Sequence, residues 1–182
     1  MTDLMIDIET LGTKPGSVIL SIAAVEFDLK TGKTGSIFYQ DIDLDSCVKQ
    51  GLSIDVSTVL WWLEQPKEIQ NTIIIGHRNQ LKNVLRRFGM WISDNTPKDV
   101  KIWGNSARFD LGLLEAAYDS CNMRLPWNHY NECDVRTIVM FAPDIKKEMK
   151  FEGIKHNPIY DCKHQIRYCS KIYQTLNFPK DA

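Results

Sequence analysis

The first third of the chain is dominated by short runs of branched and aromatic residues. Leu4–Glu9, Val18–Phe27 and Ile37–Leu44 have the composition that favours pleated, half-buried strands. Between the last two lies Asp28–Gly35, whose two glycines and small polar residues suit a hairpin connection. Connections this short predict an antiparallel meander. From residue 55 onward the apolar period lengthens to that of a helix. Asp55 is placed to cap a helix through Trp61 and Trp62, and Leu81, Val84, Leu85, Phe88 and Trp91 mark a second amphipathic helix. Val100–Trp103, closed by Gly104, reads as a short strand feeding a helix that carries Leu111, Leu114, Ala117 and Tyr118. Asp134 is placed to cap a helix bearing Ile138 and Phe141 and stopped by Pro143, and a long helix from about Pro158 to Leu176 follows. Strands first, then strand and helix in alternation, predict an α/β fold: a mixed sheet with helices packed against it.

Composition narrows the function classes. At 182 residues, 43% hydrophobic and 25% charged, without internal repeats or a Gly/Ser/Pro-rich linker, the chain is expected to form one domain over 1–182. Such a chain builds its core without disulfides or a structural metal, so any metal would serve chemistry. Five cysteines, an odd number with no C-x-x-C pair, and no leader-like N-terminus point to reduced thiols in a cytosolic protein. Apolar runs such as Ile22–Val25 fall far short of the roughly 20 residues that span a bilayer, so no membrane partner is expected. A net charge of -1 argues against a protein that coats long nucleic acid by neutralising phosphates, while a short or end-on contact stays compatible with it. Arg78, Lys82, Arg86 and Arg87 at helical spacing read as a solvated face, and Lys146, Lys147, Lys150 and Lys155 as a crowded loop.

The chemistry lies in acids. In Leu4-Met5-Ile6-Asp7-Ile8-Glu9, strand alternation sends Asp7 and Glu9 to one face together. A D-x-E triplet arises by chance, but this one stands on a first strand that leads into a meander and is therefore interior to its sheet. Two carboxylates about 4 Å apart repel by roughly 4 kcal/mol at an effective dielectric of 20, so a bound cation or a retained proton is expected. Oxygen-only ligands favour Mg²⁺ or Mn²⁺. Asp110 follows Trp103-Gly-Asn-Ser-Ala-Arg-Phe, where a strand end meets a helix start, the usual place for ligands in open α/β sheets. In His156-Asn-Pro-Ile-Tyr-Asp161, Asn157 suits an N-cap and Pro158 the first helical position. That leaves Asp161 one turn inside the helix and His156 just outside it, able to titrate near neutral pH and deprotonate a water.

In this order, D-x-E, Asp and H-x-x-x-x-D resemble the DEDDh group of 3′-5′ exonucleases, the superfamily of the proofreading polymerase subunit and ribonuclease T. More narrowly, Met5-Ile-Asp-Ile-Glu-Thr-Leu-Gly12, Trp61-Trp-Leu63, Trp103-Gly-Asn105, Phe109-Asp110 and Trp127 through Asp134-Val-Arg-Thr137 are similar to the branch holding small phage exonucleases and a mycobacterial exoribonuclease. Pro158 departs from the broader DEDDh group, where a small residue such as Ala is often found. The resemblance implies an RNase H-like fold with a mixed five-stranded sheet flanked by helices. It implies that Asp7, Glu9 and Asp161 hold one divalent ion, that Asp7 bridges to a second with Asp110 on that side, and that His156 is the general base. Two ions, Mg²⁺ or Mn²⁺, would activate the attacking water and stabilise the leaving 3′ oxygen, releasing nucleoside 5′-monophosphates. Leu11 and Gly12 would lie near the terminal nucleotide, and Asn105 and Phe109 would also bind the substrate. Trp61 or Trp62 would offer a stacking surface, at least one of the two being core. Asp134 and Arg136 would be structural or position the substrate. The expected partners are 3′ ends of single-stranded RNA or DNA in a bacterial cytoplasm or a phage-infected cell. A homodimer is an open alternative to a monomer, as is a module that binds 3′ ends without cutting.

Other signals carry no such weight. Asp41, Asp43 and Asp45 alternate, but Ser46 and Leu52 stand where a calcium loop needs Gly and Glu, so they read as a polar strand face. Cys162, His164 and Cys169 have no matching second pair for zinc, and Gly32-Lys33-Thr34 lacks the spacing of a phosphate loop.

Overall fold

The computed structural model describes residues 1–74 and 78–176, the side chains of 72–74 excepted. β1 (Asp3–Thr10), β2 (Ile19–Phe27) and β3 (Thr34–Asp41) form the expected antiparallel meander, and β4 (Lys101–Gly104) joins β1 in parallel. β5 (Glu132–Asp134) pairs with β4 to complete a five-stranded sheet in the order β3-β2-β1-β4-β5. β1 is central, as its place at the head of the meander predicted. The turn between β2 and β3 closes on Gly32, whose φ of 74° lies where a side chain is strained.

Both faces of the sheet are covered. On one, Leu4, Ile6 and Ile8 join Phe88 of α4 (Leu81–Asn95) and Leu114 and Tyr118 of α5 (Ala107–Ser120). On the other, Met5, Val25 and Phe27 pack with Trp103 and with Ile166 and Ile172 of α8 (Pro158–Thr175). A strand covered on both faces should read as continuously apolar, which explains the Ile22–Val25 run in place of alternation.

Four readings change. The third strand ends at Asp41, and α1 (Leu44–Lys49) begins where strand was expected to continue. The cause is Asp43, whose carboxylate accepts from the Ser46 N–H and caps that helix, so Asp41, Asp43 and Asp45 do not share a strand face. Pro143 does not merely stop a helix. α6 (Val135–Val139) is already over, and Pro143 opens α7 (Pro143–Glu148), because a first helical position needs no N–H. Lys146 and Lys147 accordingly stand on α7 and only Lys150 and Lys155 in the loop beyond it. β5 escaped the pattern, being three residues long. α2 (Val56–Leu63) is capped by Asp55 as expected, and α3 (Lys67–Ile74) follows it.

Candidate active site

The register of the sheet creates the site. β4 pairs with β1 only at Asp3, Leu4 and Met5, so β1 outruns its parallel neighbour and its C-terminal half lies open on that side. Along this half, Asp7 and Glu9 stand opposite Ala23 and Ser21 of β2, small partners that leave room beside the acids. The Ile8 N–H, on the side where β4 no longer reaches, donates to Asp110 Oδ1 at 3.4 Å. Asp110 Oδ2 accepts from the Asn105 N–H at 2.7 Å, so this carboxylate, 2% exposed, knits the end of β4 and the start of α5 to β1. Gly104 permits the approach: a Cβ there would stand 3.1 Å from that of Asp110.

The third segment is the start of α8. Asn157 accepts from the Ile159 N–H as N-cap, Pro158 takes the first position, and Asp161 follows one turn in, as the sequence predicted. Carboxylate oxygens of Asp7, Glu9 and Asp161 lie within 4.8 Å of one another. Asp110 stands outside this group of three, its oxygens already engaged by backbone. His156 sits immediately before the cap with φ of 58°, a conformation that non-glycine residues seldom adopt. Its ring lies edge-on to those of Trp61 and Trp62, with centroids 5.0 and 6.0 Å away.

Electrostatics follow from this crowding. Burial, then repulsion from Asp110, Glu9 and Asp161, drives the Asp7 carboxyl well above its usual range, against a hydrogen bond from Gln165. Burial also raises Glu9, with Asp161 and Asp110 adding to it. Asp110 is pushed up to about 7 by burial, restrained by the N–H groups of Asn105 and Ile8. Burial lifts Asp161 to about 6, with the His156 N–H and Lys155 pulling it back. His156 shifts the other way, because burial and the Lys155 charge both disfavour imidazolium. Four acids that resist ionisation together form a site completed by positive charge. Asp161 Oδ2 is moreover buried without a hydrogen-bond partner among the described residues, an unmet acceptor on an acid of the cluster. The donor set, all carboxylate oxygen, therefore fits a hard divalent cation.

Beside Glu9 opens a cleft of about 470 Å³ walled by Thr10, Thr13, Thr58, Trp61, Trp62 and Phe109. The tryptophans divide as their adjacency requires. Trp62 is 4% exposed and donates its indole N–H to the Thr10 carbonyl, whereas Trp61 is 40% exposed. Leu11 and Gly12 do not wall the cleft: Leu11 is buried in the core, and Gly12 lies where a Cβ would run into Ser17. Asn105 is held by its backbone, donating to Asp110 and accepting from Arg136. Asp134 has a structural place, capping α6 through Thr137 while its other oxygen takes the Ala107 N–H that opens α5. The sequence reading passed over Gln165, whose amide donates to Asp7 Oδ1 at 2.8 Å. Its signal was there in Asp161-x-x-x-Gln165, a spacing that puts both side chains on one face of α8.

Comparison with known proteins bears on this arrangement. No curated protein matches the chain in sequence. Among solved structures, the fold is similar to the nuclease domain of 3′hExo, a DEDDh family member bound to rAMP (TM-score 0.59, 12% identity, 96% of this chain and 93% of that one). It is similar to Exonuclease X in complex with 5′ overhanging duplex DNA (TM-score 0.60, 15% identity, 96% and 93%). It also resembles E. coli ExoI in a complex with single-stranded DNA (TM-score 0.61, 18% identity), although this chain spans only 40% of that protein. Identities so low speak for the fold alone. The sequence profile of the 3′-5′ exoribonuclease Rv2179c-like domain, in contrast, matches residues 2–173. With nearly its whole length matched, and with the DEDDh exonuclease fold beneath it, the chain belongs to the Rv2179c-like family and is a 3′-5′ exonuclease.

Proposed function

We propose that this exonuclease removes nucleoside 5′-monophosphates one at a time from the 3′ ends of single-stranded RNA or DNA, by hydrolysis dependent on two divalent cations. The observation that carries the reading is the meeting of Asp7, Glu9 and Asp161, from β1 and α8, at the edge of a cleft of nucleotide dimensions. Asp7, Glu9 and Asp161 would hold one cation. Asp110, with both oxygens on backbone N–H groups, would help Asp7 hold a second. When bound, Mg²⁺ or Mn²⁺ ions neutralise the scissile phosphate, acidify the attacking water and stabilise the leaving 3′ oxygen.

The chain's own residues supply the rest. His156, kept neutral near pH 7 by burial and Lys155, takes the proton of the attacking water at a ring nitrogen. Its two tryptophan neighbours limit the ring's travel. In the cleft, Trp61 and Phe109 offer flat surfaces to the terminal base, and Thr13 and Thr58 line the wall where a sugar would lie, whereas the Thr10 hydroxyl donates to the Gly12 carbonyl. The five free thiols suit a reducing compartment, the cytoplasm of a bacterium or of a phage-infected cell.

A time course on 5′-labelled single strands of RNA and DNA, with Mg²⁺, Mn²⁺ or chelator, tests the reading. Metal-dependent ladders that shorten from the 3′ end are expected, and the faster substrate names the preferred sugar. Intact strands that remain bound by the protein would leave a 3′-end binding module instead.

A further inference from the structure

We propose that Gln165 is a positioning residue for the acidic cluster, holding the Asp7 carboxylate in the orientation in which three acids meet one cation. The inference rests on the cation-holding role given above to Asp7, Glu9 and Asp161. Gln165 follows Asp161 by four residues on α8 and is 4% exposed. Its Nε2 donates to Asp7 Oδ1 at 2.8 Å, and its own Oε1 is buried with no hydrogen-bond partner among the described residues.

A side chain recruited to fill this space would not be an amide. Methionine or leucine has similar volume and leaves no buried oxygen unmet, so the amide is kept at a cost and its N–H is the part in use. With Asp7 ionised to hold a cation, chemistry fixes the amide's direction, since the reverse orientation would set Oε1 against a carboxylate oxygen that has no proton to give. A neutral donor is also the suitable kind. It engages one oxygen of Asp7 and restrains rotation of the carboxylate without cancelling its charge, which a lysine or arginine would do in place of the cation. The same turn of helix thus delivers Asp161 to the cluster and the brace for Asp7, while Cys162 between them donates to the Met5 carbonyl at 3.5 Å and seats α8 on β1. Hydrogen bonds to ligating carboxylates typically change metal affinity 10- to 100-fold.

The test titrates Mn²⁺ by calorimetry into the chelator-treated full chain, wild type and Gln165→Met. The variant should bind Mn²⁺ about 10- to 100-fold more weakly. Excess Mn²⁺ should restore cleavage, with KM for the oligonucleotide unchanged and no loss of melting temperature in the metal-free state. Equal Mn²⁺ affinity in both proteins would overturn the role of Gln165 and leave the cluster standing. Wild type that binds no Mn²⁺ would overturn both. Should the variant fail to fold, the Gln165 side-chain amide of the wild type gives the same answer by NMR. Its resonances should exchange slowly with solvent and move on addition of Mg²⁺, and unmoved resonances would refute the proposal.

Discussion

Without metal, this fold should weaken as pH rises from 5 to 8. Asp110 titrates at about 7 in the native state against 3.8 for the ordinary group, chiefly through burial. A carboxyl raised in this way lends its full relative stability below pH 3.8, and that stability is lost as pH climbs through 7. At 1.36 kcal/mol per pH unit the whole interval is worth about 4 kcal/mol, and the part between pH 5 and 7 about 3 kcal/mol. Asp7 and Glu9 act in the same direction, as does Asp161 at about 6, discounted for its partial exposure. His156 and His164 oppose the trend, since with lowered native values their contribution rises as pH approaches 6.5 and is fully present above it. A loss of about 3 kcal/mol in a domain of this size lowers Tm by on the order of 10 °C. The assay is thermal unfolding by circular dichroism of chelated protein across pH 5–8, repeated with Mn²⁺ and with Asp110→Asn. Mn²⁺ should abolish most of the slope, and Asp110→Asn should flatten it even though the variant starts from a lower Tm. Chelated wild type as stable at pH 8 as at pH 5 would refute the argument that burial and mutual repulsion govern these acids.

Other consequences are narrower. His156→Ala should cut kcat by about 10²- to 10⁴-fold while leaving Mn²⁺ binding in place, as single-turnover cleavage and calorimetry on one preparation would show. The tryptophans should separate: Trp62→Ala, emptying a buried site and freeing the Thr10 carbonyl, should cost about 3–5 kcal/mol in urea unfolding. Trp61→Ala should barely alter stability and weaken single-strand binding by about 1–3 kcal/mol, read by fluorescence anisotropy. Gly104→Ala should displace Asp110 and lower both Tm and activity, since the new methyl would stand 3.1 Å from the Asp110 Cβ.

Much of the fold was legible because its determinants are local. Asp55 and Asn157 announce helix starts through caps that the structure contains, and the meander follows from short turns between apolar runs. What escaped was set by contacts distant in sequence or by elements too short for a period. β5 exists because β4 offers an edge, and the Asp43 cap took residues whose propensity suits a strand. At the site, residue type and order named the acids that converge, because alternation in β1 and the cap of α8 fix their directions. Pattern could not foresee that Leu11 turns into the core while Thr10 and Thr13 face the cleft, since β1 has a register irregularity at Glu9/Thr10. Nor could it find the partner of Gln165, 158 residues away in the chain.

That separation also sets the order in which the molecule matures. The meander, with its nearby pairings, can form early in synthesis, whereas α8 closes one face of the sheet and carries both Asp161 and the brace on Asp7. A nascent chain that has folded through β5 already displays Asp7, Glu9 and Asp110, yet lacks the acid that closes the cluster. On the roles proposed for Asp161 and Gln165, hydrolytic competence would arrive with the docking of α8, as a late and cooperative event. A chain released before that helix emerges would hold all five strands with one face of the sheet bare and the acidic cluster one carboxylate short.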